Sequence, residues 1–431
     1  MHIYFSGIGG AGIGPLAQIA HAAGYEVSGS DKQDSSYIQY LQKHGINEVH
    51  IGQTTEAIEA VHDQKPIDWF VYTSALPLEN PNAPELVFCR EQNIKTSKRD
   101  ELLNQILQEK NLDLIAIAGT HGKTTTTALT TWLFKQLGEP ISYLLPAKVS
   151  FGEMGEYDPA SKYFIYEADE FDRNFLAYEP KISLITGVSW DHHELFPTRE
   201  DYKAAFHEFL EQSDSAFLWQ EDADYLSMES GDSLTILQSD TAAINDITLL
   251  GRYTRLDAWL AIQAVHEATK QSVDKLVEII NRFPGLSRRM EQIIPNLYSD
   301  YAHTPEKIRG AMSVATEMAT KSGQNLVVVY EPLTNRRQHY MIDDYKDCFD
   351  GVSQLYWIPS YLAREDKEQR IIPPNELIAH LSDPSIAVAM ERDNALKKVI
   401  QKHIDTGDMV VAMAGGGGNS LDDWLRLEFI S

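Results

Sequence analysis

Ala118-Gly119-Thr120-His121-Gly122-Lys123-Thr124-Thr125-Thr126-Thr127 follows the apolar run Leu114-Ile115-Ala116-Ile117 and leads into a helical pattern. A strand, a glycine turn and Lys-Thr at a helix start form the layout of a phosphate cradle. The N–H groups of the turn and of the helix start aim their positive ends at one spot. In that layout Lys123 reaches the outer phosphates of a nucleoside triphosphate and the Thr124 hydroxyl binds Mg²⁺. Ile117 stands where the first glycine of the usual spacing belongs, so the motif is the compact Gly-x-x-Gly-Lys-Thr form.

The pattern around this stretch is one of alternating strands and helices. Upstream, strands are expected over 2–5, 25–29 and 69–74, with helices over 13–23 and 36–44, a parallel sheet with crossover helices. A linking helix is expected over 99–110. Around the phosphate loop, strands are expected over 114–118, 163–167, 182–187 and 216–219, and helices over 126–137, 199–212, 255–268 and 273–282. Phe283-Pro284-Gly285 breaks the last of these. Further on, strands are expected over 298–301, 325–330, 354–358 and 409–413, with a helix over 304–320. The glycine run Gly415 to Gly418 reads either as a phosphate loop or, more plainly, as a turn into a terminal helix over 421–429.

Composition bounds the function. The chain has 431 residues, and domains of roughly 100–200 residues imply two to four units. The net charge of −26 argues against a nucleic-acid partner. Anionic ligands must then be held by local dipoles and a few placed cations. Two distant cysteines, Cys89 and Cys348, fit a reducing cytoplasm and small apolar core positions. Met1 to Phe5 runs straight into a strand, so no signal peptide is expected, and no apolar run reaches membrane-spanning length.

A second glycine motif, Gly7-Ile8-Gly9-Gly10-Ala11-Gly12, lies between the first strand and a helix. Asp31 ends the next strand, about 20 residues on. The glycines allow a tight turn close to a pyrophosphate, and the Asp31 carboxylate accepts from ribose hydroxyls. NAD is the default ligand of such a motif, and the motif alone leaves a UDP-sugar open. Tyr166-Glu167-Ala168-Asp169-Glu170 places acids at a strand end, which suits Mg²⁺ with its preference for oxygen ligands. Asp191-His192-His193-Glu194 follows another apolar strand. A zinc site there lacks partners at zinc spacing.

Residues 118–127 resemble the ATP-binding signature of the Mur ligases. The stretch Gly7 to Ala17, Ser28-Gly29-Ser30-Asp31 and Tyr72-Thr73-Ser74-Ala75-Leu76-Pro77 resemble the branch that acts on UDP-N-acetylmuramate. The resemblance covers nearly the whole chain. It implies three α/β domains: a Rossmann-like UDP-sugar domain over 1–98, a central P-loop-type ATPase domain over 99–292 and a C-terminal Rossmann-like ligase domain over 293–431. It reverses the default reading of the first motif, giving Gly7, Ile8, Gly9, Gly10, Ala11, Gly12, Asp31 and Ser74 to the UDP-sugar.

ATP, by the same resemblance, is held by Gly119, Thr120, His121, Gly122, Lys123, Thr124, Thr125 and Arg289, with Tyr253 and Asp257 at the adenine. Mg²⁺ is held by Thr124 and Glu167, and a second Mg²⁺ by His192. Lys123, His192, His303 and Arg337 are the implied catalytic residues, with His303 only a candidate base. The implied substrates are UDP-N-acetylmuramate and an amino acid, L-alanine foremost, joined in the cytoplasm by a monomer or homodimer without membrane or nucleic-acid partners.

Departures from the family pattern fall at defined places. Phe206 lies near the position of a carbamylated lysine found in several members. Tyr253-Thr254-Arg255-Leu256-Asp257 replaces His-Asn-x-x-Asn, Gly187 replaces an asparagine, and Leu333 and Thr334 replace His and Arg. Two rivals stay open: a ligase that attaches a recycled tripeptide, and a non-catalytic binding protein with an altered ATP site.

Overall fold

The computed structural model describes residues 1–73, 76, 77, 80–190, 195–362, 365, 368–416 and 418–430, with Ser36 described by its main chain alone. They form two compact units. The first comprises Met1–Ile247 with Asp257–Phe283, and the second Thr248–Leu256 with Pro284–Ser431.

The first unit holds two sheets. One is wholly parallel, with β1 (His2–Ser6), β2 (Glu26–Asp31), β3 (Val49–Ile51), β4 (Trp69–Tyr72) and β5 (Lys95–Lys98) in the order β3-β2-β1-β4-β5. All five residues of β1 are buried, as expected of a central strand covered on both faces by crossover helices. The chain adds β2 and β3 on one side of β1, then returns to add β4 on the other. Such a reversal opens a crevice at the carboxyl ends of the strands. The turn 7–12 occupies that end.

The other sheet contains β6 (Asp113–Ala118), β7 (Ile141–Leu144), β8 (Gly155–Glu156), β9 (Tyr163–Glu167), β10 (Ile182–Ile185), β11 (Ala216–Trp219) and β12 (Leu234–Leu237), ordered β12-β11-β10-β6-β9-β7-β8. Only β8 runs antiparallel to its neighbour. Register fixes what surrounds the end of β6. Ile117 pairs with Glu167 on one side, and Ala118 pairs with Ile185 on the other. Phe175, Phe196, Tyr202, Phe206 and Phe209 form one fully buried aromatic group beneath this region. Each such side chain contributes roughly 1.5–3 kcal/mol through burial.

The second unit has one six-stranded sheet: β13 (Glu291–Ile294), β14 (Leu297–Asp300), β15 (Leu326–Glu331), β16 (Gln354–Trp357), β17 (Ala387–Ala389) and β18 (Met409–Ala414), ordered β13-β14-β18-β15-β16-β17. The hairpin β13–β14 is antiparallel and the rest parallel. Asp300 pairs with Met413, and Glu331 with Ala414. Three loops distant in sequence therefore leave the sheet side by side.

Most expected elements are present, with ends shifted by a few residues. The linking helix spans Arg99–Lys110 and stops at Asn111, which takes the left-handed conformation at φ +53°. The helix expected over 255–268 begins earlier, at Arg252, and ends at Thr269. The strands that the pattern did not announce, β3, β5, β7, β8, β12, β13 and β17, are short, none longer than four residues. β5 reads Lys-Thr-Ser-Lys and lies at a sheet edge, where polar and charged residues are tolerated.

Candidate active site

The phosphate loop leaves β6 and enters the helix Lys123–Leu137. Gly119 (φ +133°) and Gly122 (φ +77°) adopt backbone conformations that favour glycine. A β-carbon at Gly119 would stand 2.5 Å from Thr186 Oγ1, and one at Gly122 would stand 2.6 Å from Asp257 Oδ1. The turn is thus pressed between β10 and the helix Arg252–Thr269.

Lys123 Nζ donates to the Gly119 carbonyl and to Glu170 Oε2, both at 2.6 Å, and lies 3.6 Å from Asp169 Oδ1. Burial opposes its charge. The carboxylates of Glu170, Asp169 and Glu167 outweigh that cost and hold its pKa above the ordinary lysine value. The Thr124 hydroxyl donates to Glu167 Oε2 at 2.8 Å. A hydroxyl and a carboxylate in contact at a helix start fit Mg²⁺, which takes few protein ligands and completes its shell with phosphate and water oxygens.

Thr120 ties the loop to β10. Its amide donates to the Gly187 carbonyl at 2.8 Å, and its hydroxyl contacts Ser189 and lies 2.9 Å from Tyr202 Oη. Tyr202 is a brace that the sequence reading missed, because one tyrosine on a helix carries no local signal. His121 stacks over Gly187, and its carbonyl accepts from the Thr186 hydroxyl. Thr125 lies in the first turn of the helix, half-buried. Phe206 faces the aromatic core. His192, with Asp191, His193 and Glu194, lies outside the described residues, as does Ser74.

Asp257, buried, places its carboxylate against Gly122. Tyr253 belongs to the second unit and is 43% exposed.

In the first glycine turn, the Gly7 and Ile8 amides donate to the Ser30 carbonyl at 2.8 and 3.0 Å. The Ile8 side chain is buried in the core, so only its main chain faces the turn. Asp31 Oδ2 accepts from the Gly9 amide at 2.8 Å, which makes this carboxylate a brace of the turn. The Ala11 and Gly12 positions lead directly into the helix Ile13–Ala22, whose N-cap is Gly12. Beneath the turn lies Glu85, fully buried. It accepts from Ser6 Oγ at 2.5 Å, from Tyr4 Oη at 3.1 Å and from the Ser30 hydroxyl. Burial raises its pKa, against the three hydroxyls. A glutamate in the first turn of a helix is ordinarily solvated, so nothing in one sequence marks it as a core residue.

The second unit brings its own group together. His303 follows β14, and its Nδ1 lies 2.7 Å from the Tyr301 carbonyl. A carbonyl only accepts, so Nδ1 carries the proton and Nε2 is the bare nitrogen of the neutral ring. Burial, then the charges of Lys307 and Arg337, hold its pKa well below the usual histidine value. The carbonyl of His303 accepts from Tyr330 Oη at 3.2 Å. Tyr330 Oη in turn lies 3.0 Å from Tyr345 Oη, which donates to Gln338 at 2.7 Å.

Gly415, the first residue after β18, is a seat for the His303 ring: a β-carbon there would stand 2.4 Å from it. Arg337 is half-buried, close enough to His303 to oppose its protonation. Arg288 donates to the Ala414 and Gly416 carbonyls at 2.7 and 3.2 Å, and lies over the Tyr301 ring. Arg289 makes a long hydrogen bond, 3.4 Å, to the Arg288 carbonyl, and its guanidinium stands 5.3 Å from the centre of the same ring. Of the two adjacent arginines, Arg288 is therefore the structural one.

A glycine turn of the Rossmann type and a Lys-Thr phosphate loop with an acidic strand end, in one chain with a third α/β sheet, define a nucleotide-using ligase architecture. The chain belongs to the Mur ligase family. Residues 2–111 match the Mur ligase family catalytic domain, 117–249 the Mur ligase middle domain and 288–416 the Mur ligase glutamate ligase domain. Among curated relatives, the UDP-N-acetylmuramate–L-alanine ligase of Campylobacter curvus is 30% identical over 84% of this chain and 85% of its own. The enzyme of the same name from Rickettsia massiliae is 26% identical over 100% of this chain and 95% of its own. The fold matches the crystal structure of UDP-N-acetylmuramate-alanine ligase from Thermotoga maritima, with TM-score 0.75, 22% identity and coverage of 97% and 96% of the two chains. It also matches a murein peptide ligase from Psychrobacter arcticus, with TM-score 0.65, 21% identity and the same coverages.

Proposed function

We propose that this chain joins the amine of L-alanine to the lactyl carboxylate of UDP-N-acetylmuramate, driven by ATP. The observation that carries this reading is the site where the phosphate loop after β6 meets the end of β9, with Thr124 on Glu167 and Lys123 on Glu170, in a chain whose relatives, matched over most of their length, bear that name. A carboxylate oxygen attacks the γ-phosphorus, ADP departs, and an acyl phosphate forms. The amine nitrogen then attacks the acyl carbon, and the tetrahedral species expels phosphate and leaves an amide.

Each step sets a demand on the protein. Two anions must approach, and the buried Lys123 ammonium lowers that repulsion. Mg²⁺ at Thr124 and Glu167, and at His192, supplies further neutralisation of phosphate charge when bound. The amine must lose a proton, and Nε2 of neutral His303 is the acceptor we assign. Arg337 takes the amino-acid carboxylate and Arg289 a phosphate, each as a guanidinium fork. The Gly7–Gly12 turn, with Asp31 and Ser74, takes the UDP-sugar, and Tyr253 and Asp257 take the adenine. The three-part division at residues 98 and 292, the cytoplasmic setting and a monomer or homodimer belong to the same reading. No helix among the described residues is long and apolar enough to cross a membrane.

The test is phosphate release with ATP, Mg²⁺ and UDP-N-acetylmuramate against L-alanine, glycine, L-serine and L-Ala-γ-D-Glu-meso-diaminopimelate. Release is expected with L-alanine and absent in Lys123→Ala. Turnover with the tripeptide alone would assign the chain to peptide attachment. No release with any acceptor would leave a binding protein.

A further inference from the structure

Arg99 opens the helix Arg99–Lys110 immediately after β5. Its guanidinium reaches to the first glycine turn, where a β-carbon at Gly12 would stand 2.4 Å from Arg99 Nη1. Gly12 and Arg99 each lie just past the region where the parallel strands β1 and β5 end, on the same side of one sheet. Arg99 also feels the Asp169 carboxylate and neighbours the Tyr166 phenol, on the loop and strand that carry Glu167. One guanidinium thus stands between the turn assigned to the nucleotide sugar and the acidic edge of the Lys123 site.

Arg99 lacks the partners that usually accompany such a group. It is half-buried, and among the described residues no carboxylate lies within 4.0 Å of it and no acceptor takes a hydrogen bond from it. Its chain neighbour contrasts with it, since Lys98 is ion-paired to Asp172. A half-buried guanidinium whose donors no described residue takes is stabilised by an oxyanion that fits its fork. Gly12 is what leaves room for the guanidinium there.

We propose that Arg99 binds an anionic group of the nucleotide sugar, where that molecule passes from the Gly7–Gly12 turn towards Lys123. This rests on the assignment of the turn to a UDP-sugar. The geometry calls for paired oxyanion oxygens, which the diphosphate and the lactyl carboxylate both offer.

Calorimetric titration of the full chain tests the proposal, with Arg99→Gln and Arg99→Lys beside the unchanged protein. The probes are UDP-N-acetylmuramate, UDP-N-acetylglucosamine, which has the diphosphate but no lactyl carboxylate, and a non-hydrolysable ATP analogue with Mg²⁺. Arg99→Gln should weaken UDP-N-acetylmuramate about tenfold or more, with Arg99→Lys between, because a point charge replaces a fork. ATP-analogue affinity should stay within about twofold. Equal loss for both UDP-sugars assigns the diphosphate, and loss for UDP-N-acetylmuramate alone assigns the carboxylate. Unchanged UDP-N-acetylmuramate affinity in Arg99→Gln overturns the proposal, whatever happens to the melting temperature. An unchanged protein that binds neither UDP-sugar overturns the reading of the turn itself.

Discussion

The imidazole of His121 lies directly over Gly187: a β-carbon at residue 187 would stand 2.3 Å from its Cε1. Gly187 also has φ +154° and offers its carbonyl to the Thr120 amide. The family's asparagine at this position is therefore excluded by the ring as it stands here. Gly187→Asn should displace His121 and with it the phosphate loop. We expect a KM for ATP raised about tenfold or more and a melting temperature lower by several degrees. Steady-state kinetics with ATP varied would check this, and wild-type values would refute it.

Glu170 is 1% exposed and pairs with Lys123, which is 12% exposed. Removing one partner of a buried ion pair strands the other charge, at a cost of about 3–5 kcal/mol. Because Asp169 remains 3.6 Å from Lys123, Glu170→Ala should fall near the lower end of that range. The exposed pair Lys181–Asp214 supplies the control, since Asp214→Ala should leave stability nearly unchanged. Urea unfolding of both variants without nucleotide measures the contrast; equal losses would contradict it.

Asp222 accepts from the Val188 amide at 2.8 Å, just past β10, and burial pushes its carboxyl up to about 6 from 3.8. The folded chain keeps a proton that the unfolded chain releases between these values. Stability from this group is therefore full below about pH 4 and is lost as pH rises through about 6. Asp222→Asn retains an acceptor and has no charge to bury. Its melting temperature should exceed that of the unchanged protein above pH 7, with the gain vanishing near pH 4. A gain that does not vary with pH would disprove this account.

Gly415 gives the His303 ring its place at the end of β18. Gly415→Ala should push the ring aside and leave the first unit intact. Amide formation should slow about tenfold or more, whereas binding of a non-hydrolysable ATP analogue should not change. Loss of nucleotide binding instead would show that the substitution acts through folding.

The glycine turns were legible because their cause is local. A tight turn between a strand and a helix needs glycine, and Gly119, Gly122 and Gly7 all show the positive φ that such turns require. Strands buried on both faces, such as β1, β6 and β15, read as apolar runs for a similar reason. The braces did not read at all. Glu85 under the first turn, Tyr202 against Thr120, and the Tyr330–Tyr345–Gln338 chain behind His303 act between separate segments, and each looks ordinary in its own segment.

By itself, then, the sequence determined that tight glycine turns would follow two strands, that Lys123 and Thr124 would begin the helix at one of them, and that acids would end a neighbouring strand. Those facts follow from backbone geometry within a few residues. Only the tertiary structure decided which side chains face them: Glu167 against Thr124 rather than Lys123, Asp31 on the Gly9 amide, Arg288 on the glycine run with Arg289 left over, and Arg99 at Gly12. Strand order and register make those choices, because they bring together chain ends that no local pattern links.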